Sequence, residues 1–99
     1  MSDFILLMHN DATEQDAGGD DPWGPYIQKL KASGCFEGGS AVGGGVCMNK
    51  GGKQVGLSSH IVGFITLQAE TLERARELVI GNPVYEAGGT VEIRELPHS

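Results

Sequence analysis

Long hydrophobic runs are missing from this 99-residue chain. The early apolar run Phe4–Ile5–Leu6–Leu7–Met8 is far short of the roughly 20 apolar residues of a membrane span. It follows Asp3 with no basic leader, so no secretory signal is expected and the chain reads as cytoplasmic, without a membrane partner. Cysteine is scarce as well. Cys35 and Cys47 form neither a CxxC pair nor a four-cysteine zinc set, and they read as reduced thiols. Positive charge is the third shortage, with 7 Lys and Arg against 13 Asp and Glu, a net charge of −6 and a pI near 4.8. A polyphosphate backbone would be repelled, which argues against nucleic acid as a partner. The acidic stretch Asp11 to Asp21 reads as a solvated loop rather than a cation site, and no cofactor or metal is expected.

Glycine is what the chain has in excess. Sixteen are present, and eight of them lie between Gly38 and Gly56. Average usage of about 7% would supply roughly seven in all. The segment invites a phosphate-loop reading, which fails in detail: Cys47 and Gln54 stand where a P-loop needs Gly and Ser or Thr, and GxGxxG is unmatched. It reads instead as a hairpin or lid.

Periodicity orders the rest into one domain over residues 1–99, with no repeats and no linker. Phe4 to Met8 suits a strand covered on both faces, with Phe4, Leu6 and Met8 on one side and Ile5, Leu7 and His9 on the other. Asn10 to Asp21 reads as a loop. Asp21–Pro22 reads as a helix start, and Trp23, Tyr26, Ile27 and Leu30 follow at helical spacing up to Gly34. A strand is expected over Cys35 to Val42, and a weaker one over Gly45 to Lys50. A turn at Gly51–Gly52 would join the latter to Lys53–Gln54–Val55. Ser59 to Leu67 is the clearest later strand. Thr71 caps a second helix with Leu72, Ala75, Leu78 and Val79 buried, ending at Gly81 before Pro83. Thr90 to Leu96 closes the chain, Val91 and Ile93 inward, Glu92 and Arg94 outward.

This order predicts an α+β, ferredoxin-like βαββαβ fold, an antiparallel sheet with two helices on one face. The two central strands carry apolar residues on both phases, and the helices cover only one side. The uncovered face then needs a second copy of the chain, or the glycine hairpin folded over it.

The chain resembles the YCII-related family, in particular its DGPF group. The resemblance covers nearly the whole length, carried by FILLMH, PWGPYIQKLKASGCFEGGSAV, HIVGFITLQAETLERARELV and NPVYEAGGTVEIRE. It implies a homodimer of the dimeric α+β barrel type and suggests a small-molecule pocket. The Asp-Gly-Pro-Phe motif that names the group is missing, the stretch before His60 reading VGLSS. Some relatives carry a His/Asp pair near the first helix and after the second. Gly24 or Pro25, and Asn82, stand in those regions here, so that chemistry is not carried over.

His60 is the foremost catalytic candidate, because imidazole exchanges protons near neutral pH; its alternative is a strand-end histidine satisfied by backbone or water. Ser58 shares its phase. His9 would approach His60 only if their strands are neighbours, and a metal would need more ligands than this pair. Trp23 and Tyr26 either frame a pocket or pack in the core. Asn82 and Tyr85 either orient a ligand or shape the turn after the second helix. Two functions stay open. One is a dimeric small-molecule binding protein or modest acid/base enzyme using Trp23, Tyr26, Ser58, His60, Asn82, Tyr85 and His9. The other is an interaction or regulatory module acting through the acidic surface and the glycine hairpin.

Overall fold

The computed structural model describes residues 1–13, 22–53 and 55–97. In chain order the elements are β1 (Ser2–His9), α1 (Trp23–Ser33), β2 (Phe36–Ala41), β3 (Ile61–Ala69), α2 (Leu72–Glu77), α3 (Pro83–Glu86) and β4 (Val91–Leu96). The four strands form one antiparallel sheet in the order β2-β3-β1-β4. The two strands with apolar residues on both phases take the centre, where each has a neighbour on either side. This is the ferredoxin-like α+β arrangement expected from the order of elements.

The pleat sends alternate side chains to opposite faces, and burial follows it. Phe4, Leu6 and Met8 of β1 are buried with Ile65, Leu67 and Ala69 of β3. Their cross-strand partners confirm one shared face: Leu6 stands opposite Ile65 on one side and Ile93 on the other. Onto this helix face α1 lowers Tyr26 and Leu30, with Trp23 and Ile27 packed beside them. Leu78, Val79 and Ala75 complete the core.

Helix ends follow local chemistry. Gly34 takes the left-handed conformation at φ 77° that ends α1, and its N–H donates to the Lys31 carbonyl. The expected N-cap Asp21 lies outside the described residues. Thr71 caps α2 through its hydroxyl oxygen, which accepts from Arg74 N at 3.1 Å.

Several expectations are corrected. The second helix does not run to Gly81: α2 stops at Glu77 and residues 78–80 form a turn. Asn82 then opens a separate short helix, its Oδ1 accepting from the N–H groups of Val84 and Tyr85. Pro83 begins this helix rather than only blocking one, since its missing N–H costs nothing in a first turn. Leu72, placed in the buried stripe, is 50% exposed at the start of α2. Gln54 of the strand expected over Lys53 to Val55 lies outside the described residues, and the strand expected over Gly45 to Lys50 does not form. The turn does: Gly52 N–H donates to Asn49 O at 2.9 Å with Gly52 at φ 80°. Glycine loses the most entropy on ordering and offers no side chain to pack, so this segment makes a turn without a ladder.

The opposite, open face carries Ile5, Leu7, Phe64 and Thr66, all half-buried, and Val62, 40% exposed. Among the described residues no helix lies on it. The glycine segment does not cover it either, because every described residue from 42 to 60 is exposed.

Candidate functional site

A cavity of about 470 Å³ lies between α1 and the β2–β3 side of the sheet. Small residues make the room. Gly39, Ala41 and Gly63 line it where larger side chains would reach toward α1. Two of them are also needed for close approach. A Cβ on Gly39 would collide with the Phe64 carbonyl oxygen, and one on Gly63 would press on Met8 Cε at 3.2 Å. The other walls are Trp23 and Ile27 of α1, Phe36, Met8, Ile65 and Val84. The lining is mostly apolar, and Val62, Phe64 and Ser40 complete it.

A second constellation occupies the open face, at the end of the sheet where β1 finishes and β3 begins. His9 Nε2 meets Glu92 Oε1 at 3.0 Å, the two side chains being 20% and 34% exposed. They are diagonal neighbours across β1 and β4, since Glu92 stands opposite Leu7. An ionised carboxylate only accepts, so the imidazole donates from Nε2 and Nδ1 is left to take a proton. The His60 ring stands edge-on to His9, centroids 5.1 Å apart at 78°. Arg94 Nη1 donates to the other Glu92 oxygen at 3.1 Å. Arg94, and after it His9, hold the Glu92 carboxyl below its ordinary value of 4.5. Main-chain ties hold this end together: Asn10 N–H donates to His60 O, and Asn10 Nδ2 donates to Ser59 O at 2.7 Å.

Asp11 is not merely a solvated acid. Its carboxylate accepts from Thr90 N at 2.8 Å and Thr90 Oγ1 at 2.6 Å, which pushes its pKa below 3.8. A lowered carboxyl adds stability that is complete above its ordinary pKa and is lost as pH falls through the folded value. Asp11 and Glu92 are both of this kind. The urea midpoint is therefore expected to hold from pH 7 to about 5 and to fall below about 4. Asp11→Asn should flatten part of that acid slope, and an unchanged slope would remove Asp11 as a contributor.

The remaining predicted residues fall in different places. Tyr26 and Asn82 come together in the core, 3% and 0% exposed. The Tyr26 hydroxyl donates to the Leu78 carbonyl at 2.7 Å, and burial pushes the phenol above 10. The Asn82 amide lies close enough to offset part of that rise, yet its Nδ2 makes no well-formed hydrogen bond. Trp23 lines the cavity, whereas Tyr85 is 45% exposed and borders a shallower groove with Val79 and Ile93. Ser58 is exposed near the start of β3. His98 lies outside the described residues. The histidines meet because β1 and β3 are neighbours, but among the described residues no group of three His, Cys, Asp or Glu side chains is placed to hold a metal. Among the described residues no helix is long and apolar enough to cross a membrane.

Glu92 and the small cavity residues were missed from sequence. The outward phase of Glu92 was readable, but its place beside His9 depends on register. No family model matches the chain, and no curated protein matches it. Among solved structures the chain is similar to 5-chloro-2-hydroxyhydroquinone dehydrochlorinase from Burkholderia phenoliruptrix AC1100, determined in complex with 2,5-dihydroxybenzoquinone. The identity is 18% and the TM-score 0.56, over 98% of this chain and 95% of that one, a likeness of fold.

Proposed function

We propose that this chain, a single domain, binds a small, flat, mostly apolar molecule in the cavity between α1 and the sheet. The observation that carries this is the cavity itself. Its volume falls in the range of small-molecule sites, and its mostly apolar walls include the aromatics Trp23, Phe36 and Phe64. The similar dehydrochlorinase binds a single hydroxylated ring, which supports a ligand of that size. Two free cysteines fit a reducing, cytoplasmic compartment. The open apolar face fits a homodimer of the kind the YCII and DGPF resemblance implies.

The lone tryptophan lines the cavity and reports on it. Titration with 2,5-dihydroxybenzoquinone is expected to quench Trp23 saturably. Ala41→Phe, which fills the cavity from β2, should weaken that binding at least roughly tenfold, a loss of about 1.4 kcal/mol. Equal quenching of both proteins, or none of either, would end this reading.

A second reading, an acid/base enzyme, is favoured by the His9–Glu92 pair with His60 beside it. A carboxylate that orients one imidazole nitrogen leaves the other poised as a base. This pair sits on the open face and the cavity mostly under α1, so chemistry at His9 would act on a molecule held against the open face. A turnover screen with hydroxylated ring substrates in which His9→Ala and His60→Ala match the parent protein would refute it.

A further inference from the structure

The segment between β2 and β3 carries apolar side chains that lie exposed to solvent in their own chain. Val46 is 82% exposed and Met48 94%, with Val55 and Leu57 at 48% and 47% on the returning limb. The segment nonetheless has a defined shape. Cys47 Sγ contacts the Gly56 carbonyl at 3.5 Å, which joins the two limbs, and Asn49 to Gly52 close the tip. The result is a two-limbed arm. Val42 and Lys50 are eight residue steps apart, enough chain to reach about 25 Å from the sheet. The molecule measures 46 × 41 × 18 Å with a radius of gyration of 15.2 Å. A compact chain of this length would have about 12.6 Å. Solvating such an apolar tip has no benefit for a lone subunit.

Charge points the same way. The arm holds Lys50 and Lys53 and no acidic residue, so its +2 within a net −6 leaves −8 on the remainder of the chain. A cationic, apolar arm and an acidic body with a bare apolar sheet face are complementary, and a two-fold axis lets each copy supply both.

We propose that the arm over residues 42–60 is a clasp that seats Val46 and Met48 on the open sheet face of a second copy of this chain. It rests on the homodimer reading and names the element that makes the contact. Each copy's Ile5, Leu7, Val62 and Phe64 are then completed by the partner's arm, and Lys50 and Lys53 lie over the partner's acidic surface.

The test is sedimentation velocity at micromolar concentration with circular dichroism as the folding control. Because Val46 and Met48 are almost wholly exposed in their own chain, the Val46→Asp/Met48→Asp variant is expected to keep its fold. It is expected to dissociate at least roughly tenfold more readily than the parent dimer. Lys50→Glu/Lys53→Glu should weaken the dimer and flatten its salt dependence. A parent dimer with an equally tight Val46→Asp/Met48→Asp variant overturns the clasp and leaves the dimer standing. A monomeric parent overturns both. A dimer indifferent to salt overturns the seating of the lysines.

Discussion

Leu6→Ala is expected to lower the stability of the subunit by about 3 kcal/mol, within the usual range for a buried leucine truncated to alanine. Leu6 is wholly buried in the middle of β1, between Ile65 and Ile93, with Phe4 and Met8 on the same face. It is thus enclosed by both neighbouring strands and by the helix layer, and few atoms can relax into the space it leaves. A small domain has only about 5–15 kcal/mol in hand. The loss should lower the melting temperature by about 12–24 °C, because each kcal/mol moves a domain of this size by roughly 4–8 °C. Urea denaturation with an unchanged slope is the check. A loss below about 1 kcal/mol would mean that the core closes around the gap, contrary to the packing described.

Asn82→Ala is expected to cost about 2 kcal/mol through a different mechanism. The side chain is completely buried, and its Oδ1 serves both the Val84 and Tyr85 N–H groups at the start of α3. Alanine leaves both donors without that acceptor in the interior. Asn82→Asp separates the roles: it keeps the acceptor but buries a charge, so it should be tolerated at acid pH and destabilised near neutrality. Tyr26→Phe, which removes the bond to the Leu78 carbonyl, should cost about 1 kcal/mol. Because Tyr26 and Asn82 adjoin, the double variant should depart from additivity. Strict additivity in a double-mutant cycle would show that the two polar groups act separately.

The strands were legible because the chain alternates where one face is exposed and is greasy on both phases at the centre. The central position of β1 and β3 followed from the order of elements, and their two-phase apolar pattern agreed with it. The break between α2 and α3 was not legible. Leu78 and Val79 keep helical spacing beyond Glu77, so periodicity continues past the point where the helix stops. Beyond the turn at residues 78–80, Asn82 caps a new helix, its Oδ1 accepting from Val84 and Tyr85 N–H. For the site, the individual histidines could be picked out, but their meeting at 5.1 Å depends on β1 pairing with β3. The cavity was harder still. It is built from what Gly39, Ala41 and Gly63 lack, and a missing side chain leaves no periodic signal.

The sheet has two rims, and their composition bears on self-association into fibrils. An unpaired rim offers a row of backbone groups to any stray strand. Here one rim is β2, Phe36–Glu37–Gly38–Gly39–Ser40–Ala41, only six residues long and with two adjacent glycines. The other is β4, where Glu92, Arg94 and Glu95 interrupt the aliphatic residues. Neither matches the uncharged, β-branched hexapeptides that zip into cross-β stacks. The same residues that hollow out a cavity or hold a histidine thus also act as gatekeepers against amyloid.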